Sequence, residues 1–229
     1  MTLCTADFER GVSGSNILTS DPGSATPWDS TTHAGGDVIT YDNAHVYGTL
    51  AAKVDSTTSG GASANTLHWS TGIGTLTNWY GRVYLYATTN PGGTYRVVSD
   101  PNGNFPLYIN AGGTVSMADQ GGFAITTTTS IALNQWVRIE WHWINSATVG
   151  QVEVKLFNNP DSPTSTETLA SAANRNTSVS TTDLDFGLTN GGGSPGPIWL
   201  DNIVAGATSY PGPATQPIPS TAFVKALGW

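Results

Sequence analysis

The chain is poor in charge, and in positive charge above all. Of its 229 residues eight are Lys or Arg, against sixteen Asp or Glu, so the formal net charge is −8. Contact with nucleic-acid phosphates or an anionic membrane needs clustered cations. No run of Lys or Arg occurs anywhere, which excludes both kinds of partner. Cysteine appears once, at Cys4 in a terminus expected to fray, so no intrachain disulfide can form. No apolar stretch approaches the roughly 20 residues of a membrane helix. The opening "MTLCTADFERG" lacks the basic and apolar segments of a secretory signal. The four histidines, His33, His45, His68 and His142, lack the spacing of a zinc site. Nucleophile motifs of the G-x-S-x-G kind are absent, and "GGGSPG" at Gly191–Gly196 has no following Lys or helix to make it a phosphate cradle.

Helical periodicity is nearly absent too. In its place stand short alternating or β-branched runs separated by Gly, Asn, Asp and Pro, the pattern of an all-β sandwich. The runs predict strands over Val38–Tyr41, Leu50–Val54, Thr66–Trp69, Trp79–Ala87, Tyr95–Ser99 and Phe105–Asn110. Further strands follow over Thr114–Met117, Ala124–Thr128, Gln135–Ile144, Gln151–Phe157, Leu184–Leu188 and Ile198–Gly206. So many strands without a helix between them predict two stacked antiparallel sheets. Alternation assigns Val83, Leu85, Leu107, Val137, Ile139, Trp141, Trp143, Val154 and Phe186 to the core.

The sandwich is expected to fill residues 1–210. Residues 211–229 read as a separate arm, with Pro211, Pro213, Pro217 and Pro219 followed by an apolar cluster of Phe223, Val224, Leu227 and Trp229. Proline-rich chain favours extended geometry and cannot enter a central strand. An apolar end of this kind needs a cover. It either folds back on its own domain or docks into a neighbouring subunit.

Several stretches in order carry a resemblance: "DFERGVSGSNILTSDPGS", "HVYGTLAAKVD", "WYGRVYLYATTNP", "NQWVRIEWHW" with "GQVEVKLFNNPDSPTSTETL", and the closing "GPIWLDNIVAG". Together they resemble the concanavalin A-like (LamG-type) jelly-roll domains of virion proteins in phages of actinobacteria. The resemblance covers Asp7 to Gly206. It implies a protein made in the bacterial cytoplasm and carried in the virion, as a head decoration or minor tail component, held by contacts with capsid or tail subunits. It also implies a structural calcium near the first and last strands, for which Asp7, Glu9, Asp201 and Asn202 are oxygen candidates and Glu9 with Asp201 the leading pair. No other cofactor is expected.

Two strands carry side chains that could do chemistry. In "NQWVRIEWHW", Arg138, Glu140 and His142 share the face opposite the core residues, the side expected to be solvated. Glucanases of the resembled fold use paired carboxylates on one strand, and retaining hydrolysis needs the pair about 5–5.5 Å apart. Glu140 has no carboxylate two or five positions away on its own face. The alginate-lyase version of the fold uses a Gln-φ-His strand and a tyrosine in the closing strand, and neither occurs here. No catalytic residue and no enzymatic activity are therefore expected. In "WYGRVYLYA", Tyr80, Arg82, Tyr84 and Tyr86 share one face. If the two strands lie in one sheet, these residues with Arg138, Glu140 and His142 would line a shallow groove. Aromatic rings stack on sugars and charged groups bond hydroxyls. The groove would then read host cell-surface glycan, or be covered by a partner protein.

Overall fold

The computed structural model describes residues 3–19, 26–33, 37–55, 65–70, 74–101, 105–178, 182–189 and 196–215. The apolar end of the C-terminal arm, with Phe223, Val224, Leu227 and Trp229, lies outside them. The strands in chain order are β1 (Cys4–Ala6), β2 (Ser30–Thr32), β3 (Ile39–Asp42), β4 (Ala51–Val54) and β5 (Asn65–Trp69). Next come β6 (Asn78–Ala87), β7 (Tyr95–Ser99), β8 (Leu107–Ile109), β9 (Thr114–Asp119) and β10 (Gly122–Ser130). The last five are β11 (Trp136–Ile144), β12 (Gln151–Phe157), β13 (Glu167–Ala170), β14 (Leu184–Thr189) and β15 (Ile198–Ala207). Among the described residues there is no helix long and apolar enough to cross a membrane.

All pairings are antiparallel, in two sheets. One runs β13-β12-β11-β6-β15-β4-β3, with β1 beside the far half of β15; the other runs β10-β9-β8-β7-β14-β5-β2. This is the expected two-sheet jelly-roll sandwich. Alternation along each strand sets one face of each sheet inward, and Val83, Leu85, Leu107, Val137, Ile139, Trp141, Trp143, Val154 and Phe186 are all buried there. Large rings fill the space between the sheets. Trp28 stacks on Trp69 at 4.1 Å, while Phe105 packs against Trp79 at 4.7 Å and Trp143 at 4.6 Å. The Trp141 ring lies directly over Gly81, where a Cβ would stand 2.1 Å from it.

The structure adds three short strands that the sequence pattern does not announce: β1, β2 and β13. Each sits at a sheet margin, where three or four residues need only one partner and little apolar alternation. Cys4 does not fray. It pairs with Ala205 in β1 and is buried.

Candidate functional site

The register places the two chemistry-bearing strands side by side. β11 pairs with β6, and on the outer face of the sheet Arg138 stands opposite Tyr84, Glu140 opposite Arg82, and His142 opposite Tyr80. On one flank β12 brings Phe157, Lys155 and Glu153 level with those same three rows. On the other, β15 brings Asp201 beside Tyr84 and Trp199 beside Tyr86. All seven residues expected on the groove therefore share one sheet face.

The open groove does not. Arg138 is 1% exposed, Glu140 2%, and Arg82 and Tyr84 are buried as well, so the solvated face expected for this row is corrected. Two pieces of chain cover it. The β12–β13 loop is tied down by Arg138, whose Nη1 donates to the Pro160 carbonyl and whose Nη2 donates to Ser162 O at 2.9 Å. The segment after β15 crosses from the other side. Arg82 donates through Nη1 to Gly212 O at 2.7 Å and through Nε to Asn202 O at 3.0 Å. The Ala214 N–H donates to the Tyr84 hydroxyl at 2.8 Å. Residues 211–215, the start of the proline-rich arm, lie on this face of the sandwich.

Glu140 sits between the two guanidinium groups. Its Oε1 is 3.1 Å from Arg138 Nε, an ion-pair contact without the alignment of a hydrogen bond. Burial pushes its carboxyl above the usual range, against the pull of Arg138, Arg82, Lys155 and the Gly212 N–H. At the Tyr80 end, His142 stacks on Tyr80 at 4.0 Å with the rings nearly parallel, and Tyr210 meets Tyr80 edge-on at 4.8 Å. Tyr210 donates to Glu153, and Lys155 Nζ lies 3.5 Å above its ring. Burial raises the Tyr210 phenol, and the bond to Glu153 adds to the effect. Burial lowers His142, which favours its neutral imidazole. His142 Nε2 is 2.8 Å from Asn78 Oδ1; with that oxygen accepting, Nε2 carries the proton and Nδ1 is the basic nitrogen.

A cleft of about 430 Å³ remains between the loop and the crossing segment. Arg138, Glu140, Lys155 and Phe157 form its floor, with Thr164 and Tyr210 on its walls. Beyond the loop, at the Tyr86 end, an open hollow is lined by Tyr47, Gln135, Trp136 and Asn159. There His45 stacks on Tyr86 at 4.2 Å and meets Trp199 edge-on. Sequence reasoning missed Lys155, Tyr210, Tyr47, His45 and Trp136. Lys155 was legible, because it alternates with the buried Val154 and Leu156. Tyr210, His45 and Tyr47 lie outside the strands, in "ATSYPGP" and "NAHVYG", where no periodicity assigns a face.

The calcium candidates are only partly gathered. Asp201 is fully buried in β15 and accepts from the Asn202 N–H at 2.6 Å, while its Oδ2 has no hydrogen-bond partner. Burial raises its carboxyl well above the ordinary value, with Glu9 and Asp7 adding to the rise. Glu9 instead spends its oxygens on the Thr49 N–H, at 2.9 and 3.0 Å. Among the described residues no group of three or more His, Cys, Asp or Glu stands at metal-holding spacing. A calcium ion here would need most of its oxygens from backbone and water.

No family model and no curated protein matches the chain. Solved structures do. An endo-β-1,4-glucuronan lyase from the fungus Trichoderma reesei superposes with a TM-score of 0.61 at 13% identity, over 87% of this chain and 98% of that one. The cellulose-induced protein Cip1 superposes with a TM-score of 0.55, also at 13% identity, over 89% of this chain and 97% of that one. At such identity the likeness establishes the fold and no residue's role. It overturns the expectation that the chain has no enzymatic activity. That expectation rested on two absences, the second carboxylate that glycoside hydrolysis needs and the Gln-φ-His strand and closing tyrosine of alginate lyases, whereas a glucuronan lyase is built on this same fold.

Proposed function

We propose that the chain is a glycan-recognising jelly-roll protein of a bacteriophage particle, attached by contacts with capsid or tail subunits, and that sugar enters the 430 Å³ cleft. The cleft carries the glycan reading. It offers a cation at Lys155, the Tyr210 ring and the Thr164 and Thr168 side chains around one concave space floored by the buried Glu140, the mixture of stacking and hydrogen-bonding groups that sugars require. Lys155→Met should abolish binding to an oligosaccharide array without changing the melting temperature by more than a degree or so. Binding that survives the substitution would remove the cleft from the assignment. The virion reading is supported by the ordered motifs resembling phage jelly-roll proteins and by the apolar end Phe223, Val224, Leu227 and Trp229. Particles made with residues 216–229 deleted should lack the protein; unchanged incorporation would sink the anchoring role. The calcium at Glu9 and Asp201 stays part of this proposal, and added calcium should raise the melting temperature of the wild type but not of Asp201→Asn.

A second reading is that the protein also cleaves what it binds, favoured by His142, which stands behind the cleft wall at Tyr210 with 6.4 Å between the ring centroids. Elimination from a uronate needs a base to take the C5 proton and an acid to protonate the leaving glycosidic oxygen. His142 Nδ1 and the Tyr210 hydroxyl are groups of those kinds. Incubation with oligoglucuronate should then generate the ultraviolet absorbance of an unsaturated product, lost in His142→Ala. No absorbance from the wild type would dismiss the reading.

A further inference from the structure

The groups that hold the covering segment in place are the most polar on the sheet, and they grip its backbone. Gly212 offers its carbonyl to Arg82 and its N–H to Glu140, and Ala214 offers its N–H to Tyr84. The one side chain anchored beside them is Tyr210. Gly212 takes a φ of +70°, with open space where its Cβ would be, so the bend follows from the glycine rather than from packing. Gly212 itself lies between two prolines, Pro211 and Pro213.

We infer that residues 211–215 are a built-in occupant of a longer acidic-glycan groove, with this strap's backbone carbonyl standing where a sugar carboxylate would lie. This deepens the glycan reading and rests on it. Four of the chain's eight cations, Lys53, Arg82, Arg138 and Lys155, lie on this one face of a protein with net charge −8. Arg82 and Arg138 outnumber Glu140 between them, and a guanidinium fork matches a carboxylate better than it matches a lone carbonyl. Lifting the strap extends the cleft across β11 and β6 and leaves Arg82, Glu140 and Tyr84 to an incoming uronate. The strap leads directly into residues 216–229, so a partner that takes hold of the arm pulls on the cover of the groove.

Two measurements decide it. Amide exchange reads the strap without any ligand: the Gly212 and Ala214 N–H groups should exchange by local opening, well ahead of core amides such as Ile139. Exchange only at the rate of global unfolding overturns the inference. Calorimetry with oligoglucuronate, and with a neutral cello-oligosaccharide of equal length, then compares the full chain with truncations after Thr215 and after Tyr210, the latter keeping the ring that walls the cleft. Truncation after Tyr210 should strengthen binding of the acidic sugar by about tenfold, within the usual span of coupling between sites, while truncation after Thr215 leaves it unchanged. Equal affinity in all three forms, or an equal gain for the neutral sugar, overturns the inference. If the shorter form fails to fold, Gly212→Pro replaces it, since proline removes the N–H that Glu140 accepts and cannot take a φ of +70°. Binding by no form at all sinks the glycan reading and the gating with it, while locally exchanging amides would still identify a cover that opens.

Discussion

Gly81 and Asp201 show how much single positions decide. Gly81 leaves the space in which the Trp141 ring lies, so Gly81→Ala drives a methyl into that ring and should cost about 1–3 kcal/mol in denaturant unfolding. A loss within measurement error would mean that the ring has room to move. At Asp201 the sign of the pH effect is fixed by burial. A carboxyl whose folded pKa is raised holds its proton in the native state after the unfolded chain has lost it, at about pH 4. Its contribution therefore declines as pH rises above that point. In calcium-free buffer, Asp201→Asn should match or exceed the wild type in melting temperature at pH 7 and flatten the dependence between pH 4 and 7. A variant whose melting temperature depends on pH between 4 and 7 as steeply as that of the wild type would contradict this.

Among elements, β11 with the loop after β12 is the sharpest case. Arg138 is buried and holds three groups at once, donating to the carbonyls of Pro160 and Ser162 and lying in ion-pair contact with Glu140. Arg138→Met strands all three and should cost about 3–5 kcal/mol, the range for breaking a buried ion pair from one side. Glu140→Gln should cost less, because burial already works against that charge. If Glu140→Gln proves the more damaging in denaturant midpoint, the account of the row is wrong. The same strand shows what was legible in the sequence. Val137, Ile139, Trp141 and Trp143 alternate, so their inward face and the strand's bounds could be read to within a residue. The outward residues could be placed on one face, but their burial could not. It depends on chain that returns 22 and 24 residues after Arg138, at Pro160 and Ser162, and some 70 later at Gly212. No local pattern encodes those returns. The short strands β1, β2 and β13 escaped for a related reason, since each is fixed by one neighbouring strand rather than by its own composition.

For the molecule as a whole, two histidines set opposing pH slopes. His68, bonded to Asp185 at 2.7 Å, has its pKa raised, chiefly by that bond, and Asp183 and Asp29 add to the rise. Its stabilising contribution is complete below about pH 6.5 and is lost as pH climbs through the folded value. His142 is lowered by burial, so it subtracts stability as pH falls below the same point. Melting curves from pH 5 to 8 should separate them. His68→Gln should lose most at pH 5, and His142→Gln should gain there relative to the wild type. Matching slopes in the two variants would refute the assignment.

The tryptophans have an optical consequence. Seven of the eight, from Trp28 to Trp199, are buried in the sandwich or under its covers, and the eighth, Trp229, is the last residue of the arm. A collisional quencher in water reaches few of the seven. Acrylamide or iodide should therefore leave most of the emission of these seven intact in the folded protein and quench it once the sandwich unfolds.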